Sequence, residues 1–207
     1  MDGTLTDSNP YWDRVPEAFL AAHGRVVAPD LAGRVFSMTL PEAADYIIKE
    51  YSLEMSAEDI ISGVYETMER FYMEEVELKP GVRGLLELLS ERNIPMVVAT
   101  VTGRDLVEKV LGHHGVLSFF ESIVTTDDAG VGKHDPAVYR MAAERIGSPC
   151  DRTMVLEDAP HALMTAKNAG FITIGVYDEA GADAQDKIRE AADLYLADYK
   201  DLSALMK

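Results

Sequence analysis

Apolar positions along the chain fall into two textures. Over residues 9–78 they recur at helical spacing. Val15, Ala18, Phe19 and Ala22 share one face, and Ala43, Ala44, Ile47 and Ile48 share another, with Pro41 at a helix start. Ile60, Ile61, Val64, Met68, Phe71 and Tyr72 form a third face, entered by Ser56 with Asp59 three residues on, the spacing of a capping box. This stretch predicts a small all-helical bundle. From Lys79-Pro80-Gly81 onward, short continuously apolar runs alternate with helical ones. Strands are predicted at 95–100, 122–126, 153–156, 171–176 and 194–197. Helices are predicted at 84–92, 104–113, 136–146, 160–169 and 184–192, several closed by a glycine such as Gly115, Gly147 or Gly170. Apolar strands alternating with helices imply an α/β fold: a Rossmann-like parallel sheet with helices on both faces.

Composition narrows the class. The chain has 207 residues, 47% of them apolar, enough for one sizeable domain or a core with a small insert. No apolar run is long enough to span a bilayer, and the polar, acidic opening does not read as a secretory signal. Nineteen basic against thirty-six acidic residues give a net charge of −17, which disfavours nucleic acid and anionic membrane as partners. Cys150 is the single cysteine, so no internal disulfide forms. A reducing, cytoplasmic setting is expected.

In parallel α/β sheets ligands bind beyond the carboxyl ends of the strands. Four groups of polar residues follow predicted strands or tight turns: Asp2-Gly3-Thr4, Thr100-Val101-Thr102-Gly103, Lys133 after Gly130-Val131-Gly132, and Glu157-Asp158. Each has a plain structural explanation. A threonine at a strand end is often a helix cap, a lysine after a glycine loop usually faces solvent, and Asp158 before Ala159-Pro160 suits a helix N-terminus. Together they supply acids, hydroxyls and a cation. Phosphoryl transfer needs such a set, because its transition state spreads negative charge over three oxygens. Carboxylates in this setting hold Mg²⁺.

In order and spacing these groups resemble the four signature motifs of the haloacid dehalogenase superfamily. The closest resemblance is to its phosphoglycolate phosphatase and β-phosphoglucomutase-like branch. The octet Met1-Asp2-Gly3-Thr4-Leu5-Thr6-Asp7-Ser8 is similar to the back half of that family's aspartate loop. The resemblance implies an α/β core over residues 1–8 and 79–207, with a helical cap over 9–78 acting as a lid. It implies that Asp2 is the general acid/base and offers its carbonyl to Mg²⁺. Thr100, helped by Thr102, would bind phosphoryl oxygens, Lys133 would neutralise the nucleophile and phosphate, and Glu157 and Asp158 would hold the metal. Among cap residues it directs attention to Tyr11, Trp12, Arg14, Arg34 and Arg70, with Trp12 and Arg34 as substrate-contact candidates. The implied substrate is a small phosphorylated metabolite.

Three positions depart from the family pattern: Ala159-Pro160 follows the metal aspartate, His134-Asp135 follows the lysine, and Trp12 stands where the mutases carry a histidine. The last favours a phosphatase over a sugar-phosphate mutase, the alternative enzymatic reading. A non-catalytic binder of phosphorylated metabolites is a third. A receiver domain also uses strand-end acids and a lysine, but the helical insert and the motif order argue against it.

The resemblance places the attacking aspartate immediately before Met1, at the end of a central first strand. Two accounts follow: Met1 is internal to a longer chain, or the protein is a non-catalytic relative. Unpaired backbone groups beside an absent central strand would each cost about 1–3 kcal/mol, against a whole-domain stability of about 5–15 kcal/mol. That favours the first account. The expectation is that the 207-residue form is inactive, or nearly so, by this route, and folds poorly or fills the strand position otherwise.

Overall fold

The computed structural model describes residues 1–28, 31–35, 38 and 40–200. The chain divides into two compact units: Ser8–Val76, and Met1–Asp7 together with Glu77–Lys207. Among the described residues no helix is long and apolar enough to cross a membrane.

The first unit is helical: α1 (Asn9–Ala22), α2 (Leu31–Val35), α3 (Leu40–Tyr51) and α4 (Ala57–Glu74). The Ser56 hydroxyl and Asp59 carboxylate cap α4 reciprocally. That satisfies amide groups which the first helical turn leaves without partners. Phe19 and Leu20 of α1 pack with Leu31, Ala44, Ile47 and Ile60 in one apolar cluster. Gly63 permits this approach, since a Cβ there would sit 2.3 Å from the Phe19 ring.

The second unit runs α5 (Val82–Glu91), β1 (Val97–Thr100), α6 (Arg104–His113), β2 (Ser122–Thr125), α7 (Thr126–Ala129), α8 (Ala137–Arg145), β3 (Met154–Glu157), α9 (Pro160–Asn168), β4 (Ile172–Val176), α10 (Gln185–Ala191) and β5 (Leu194–Leu196). Apart from the short α7, which has no predicted counterpart, these elements lie within one or two residues of the predicted ones. Helix α5 begins earlier than predicted because Gly81, at φ 86°, turns the chain directly into it.

Among the described residues all strand pairs are parallel, but the strands do not form one sheet. β1 pairs with β2, and β3-β4-β5 form a separate sheet. Between β1 and β3 lies a cavity of about 260 Å³. It touches three consecutive residues of β1 (Val97–Ala99) and four of β3 (Met154–Glu157). Alternate strand residues point to opposite faces, so a cavity in contact with consecutive residues looks onto the strand edges. It is therefore a slot in the plane of the sheets. Helices α5 and α8 line it through Leu85, Leu86, Ala142 and Ala143, and its polar end reaches Met1, Thr4 and Glu157.

Candidate active site

Four loops of the α/β unit meet at that polar end. Met1–Asp7 forms a tight loop in which the amides of Thr4, Leu5 and Thr6 point to the Met1 carbonyl, at 2.7–3.2 Å. Gly3, at φ 64°, supplies the left-handed turn. The loop is tied to the rest of the unit by residues far away in sequence. Tyr199 donates to the Thr4 carbonyl at 2.5 Å, and the Lys79 amide donates to the Leu5 carbonyl at 2.9 Å.

From this loop Asp2 accepts a hydrogen bond from the Thr102 hydroxyl at 2.7 Å, and Thr4 donates to Asp158 at 2.8 Å. The first contact joins the opening loop to the segment after β1, the second to the segment after β3. Thr100, the last residue of β1, is buried, and its hydroxyl accepts the Thr102 amide at 3.1 Å. It does not cap α6, whose first turn follows Gly103 without a side-chain cap. Asp158 does not cap α9 either; Ala159 holds that position. The local explanations offered by the sequence thus fail for both residues, because their side chains are engaged elsewhere.

Lys133 is not solvent-facing. Its side chain is 13% exposed, and its ammonium forms an ion pair with Glu157, the last residue of β3. Tyr139 of α8 donates to the same carboxylate oxygen at 2.8 Å, and the Lys133 ammonium lies 5.7 Å from the Tyr139 ring centre. Burial alone pushes the Glu157 carboxyl up, but the charge and hydrogen bond of Lys133, together with the Tyr139 hydrogen bond, hold it below the usual carboxylate range. Burial and the adjacent Glu157 charge push the Tyr139 phenol far above its usual value, so it stays a donor. The buried Met1 backbone nitrogen lies within electrostatic reach of Asp2, Lys133, Glu157 and Asp158.

The structure therefore brings Asp2, Thr100, Thr102, Lys133, Glu157 and Asp158 to one end of the α/β unit. Trp12 and Arg34 belong to the helical unit. Trp12 is half-buried on α1. Arg34 donates to the Tyr46 hydroxyl at 3.0 Å and lies 3.7 Å from Glu50. Arg14 is not simply solvated: it pairs with Glu75 at 3.3 Å and stands 5.1 Å from the centres of the Tyr11 and Phe71 rings. Cys150 is a free thiol.

Sequence reasoning named Thr4 without giving it a role, and missed Lys79, Tyr139, Asp178 and Tyr199. Asp178 stands just past β4, where the rule of looking after strands could have found it. Tyr139 carries no local signal, since its role depends on meeting Glu157, eighteen residues on, across a packed helix.

The donors suit Mg²⁺ as active sites commonly hold it. Among the described residues there is no group of three or more acid, histidine or cysteine side chains arranged as a ready-made cage. Mg²⁺ needs none, since it keeps several waters and takes one or two carboxylates plus substrate oxygens.

Residues 1–176 match the family model described as haloacid dehalogenase-like hydrolase. The chain is 30% identical to (DL)-glycerol-3-phosphatase 2 of Arabidopsis thaliana, over 97% of this chain and 86% of that one. It is 26% identical to a phosphorylated carbohydrates phosphatase of Thermotoga maritima, over 83% and 79% of the two chains. Among solved structures, CbbY of Rhodobacter sphaeroides in complex with phosphate shares the fold with a TM-score of 0.76 at 23% identity, covering 98% of this chain and 93% of that one.

Proposed function

The chain belongs to the haloacid dehalogenase-like hydrolases, and from that premise we propose that it is a Mg²⁺-dependent phosphatase acting on a small phosphate monoester through an aspartyl-phosphate. The class is that of a phosphoric monoester hydrolase, in line with relatives named as phosphatases. The observation that carries the finer reading is the convergence of Asp2, Thr100, Thr102, Lys133, Glu157 and Asp158 at one end of the α/β unit.

In this reading a carboxylate attacks phosphorus and the P–O bond to the leaving group breaks. Asp2 gives its proton to the departing oxygen, then takes one from the water that opens the acyl phosphate. The Thr102 hydroxyl orients Asp2 for both transfers. Lys133 and Thr100 stabilise charge on the phosphoryl oxygens. Asp158, with Glu157 and the Asp2 carbonyl, would hold Mg²⁺, which when bound supplies positive charge across the transferring group. Names of relatives point to phosphorylated carbohydrates and polyols as the substrate class.

We assign the attacking carboxylate to the residue that precedes Met1, on a strand lying in the slot. Three features support this: the slot exposes two strand edges, most of its lining is apolar, and it reaches Met1 and Glu157. Residues 1–207 alone should then turn over poorly.

The test is hydrolysis of an aryl phosphate with Mg²⁺ by residues 1–207 and by a form extended upstream. The extended form should be active, and Asp158→Asn in it should be far less so. Equal, robust turnover by residues 1–207 would overturn the assignment of the attacking group. Phosphate moving within a sugar, rather than appearing in solution, would select the mutase.

A further inference from the structure

Glu157 is held from one side only. Its side chain is almost fully buried, and both of its hydrogen bonds end on the same oxygen, Oε1. One comes from the Lys133 ammonium, the other from the Tyr139 hydroxyl at 2.8 Å. Oε1 is thereby occupied by two donors, which leaves Oε2 as the oxygen available for coordination. Tyr139 is 2% exposed, and its ring packs edge-on against Phe171 at 6.2 Å.

This asymmetry bears on which cation the site prefers. Ca²⁺ takes six to eight oxygens at long, variable distances and commonly grips one carboxylate with both oxygens. Mg²⁺ takes six in a tight octahedron, using single carboxylate oxygens and retained waters. A carboxylate whose second oxygen is already claimed by two protein donors serves the smaller ion and handicaps the larger one.

We propose that Tyr139 is a positioning residue that, together with Lys133, confines Glu157 to one coordinating oxygen and so strengthens the site's preference for Mg²⁺ over Ca²⁺. The inference rests on the reading of Glu157-Asp158 as the metal-binding pair.

Tyr139→Phe tests it, because phenylalanine keeps the ring, its contact with Phe171 and its place beside Lys133 while removing the donor. Calorimetric titration of residues 1–207 with Mg²⁺ alone and with Ca²⁺ alone gives two dissociation constants for each protein. The ratio of Ca²⁺ affinity to Mg²⁺ affinity should rise roughly fivefold or more in the variant, in keeping with the loss of a hydrogen bond to a charged group. Affinity for both ions reduced in equal proportion would mean a merely structural role and would overturn the proposal, as would a ratio unchanged within about twofold. Asp158→Asn separates the two levels. If it leaves Mg²⁺ binding intact, or if the unmodified chain binds no Mg²⁺, the metal-site reading itself fails. If it weakens Mg²⁺ while Tyr139→Phe leaves the ratio alone, only the role of Tyr139 fails.

Discussion

Replacing Lys79 with methionine should destabilise the α/β unit by about 3–5 kcal/mol, the usual cost of orphaning a buried charge. Lys79 and Asp178 are 99 residues apart, yet Nζ and Oδ2 lie 2.6 Å from each other, with side-chain exposures of 10% and 1%. At that separation and an effective dielectric constant of about 20, their attraction is roughly 6 kcal/mol before desolvation. Taking both ions out of water offsets most of this, so the intact pair contributes little net stability. The single substitution is different, because it leaves the Asp178 carboxylate buried with the Ala180 amide, at 3.0 Å, as its remaining hydrogen-bond donor. Asp7, 3.9 Å from the Lys79 ammonium, is more than half exposed and adds little. Methionine matches the length and apolar stem of lysine, so packing changes least. Urea unfolding followed by circular dichroism should show the full loss for Lys79→Met, a similar loss for Asp178→Leu, and a double variant close to the unmodified protein. A loss below about 1 kcal/mol for Lys79→Met, or a double variant as unstable as the sum of the singles, would refute the reasoning. Because the Lys79 amide also holds the Leu5 carbonyl, the pair sits directly behind the loop that presents Asp2 and Thr4.

Two further outcomes follow from local geometry. A Cβ on Gly175 of β4 would stand 2.4 Å from Cγ2 of Ile188 and 3.2 Å from Ala192, and Ile188 is fully buried, so Gly175→Ala should lower stability by about 1–3 kcal/mol, read as a shift in the urea midpoint. The Asp193 carboxylate is held down to about 2, from 3.8, by the Thr173 amide, the Lys167 ammonium and the Thr173 hydroxyl. A depressed folded-state value means stability that is present above the unfolded value and lost as pH falls from about 4 toward about 2. Unfolding midpoints measured across that interval should fall more steeply for the unmodified chain than for Asp193→Asn, and equal slopes would show that these contacts contribute nothing. The difference is modest, since Asp193 is solvent-exposed and its ion pair is screened.

Much of this protein is written in short windows of its sequence. Continuous apolar runs located all five strands to within two residues, because a strand buried on both faces excludes polar side chains wherever it lies. Ser56 and Asp59 marked the start of α4, and Gly115, Gly147 and Gly170 marked helix ends, each at positive φ as a left-handed turn requires. The order of Thr100, Lys133 and Glu157-Asp158 at or after strand ends was also legible, since every parallel strand delivers its carboxyl end to the same side. Local rules could not say which neighbour claims each side chain. Asp158 before Ala159-Pro160 has the form of a helix cap, yet its partner is Thr4, 154 residues away. Lys133 reads as a solvated loop lysine until Glu157 and Tyr139 close around it. The division of the strands into two sheets, the slot between β1 and β3, and the Lys79–Asp178 pair likewise depend on segments that meet only after the chain has folded. Sequence periodicity reports how one segment divides its faces between core and water. Pairing between segments is decided by packing geometry and by the need to satisfy each buried charge, and for these residues that choice is made across tens to more than a hundred positions.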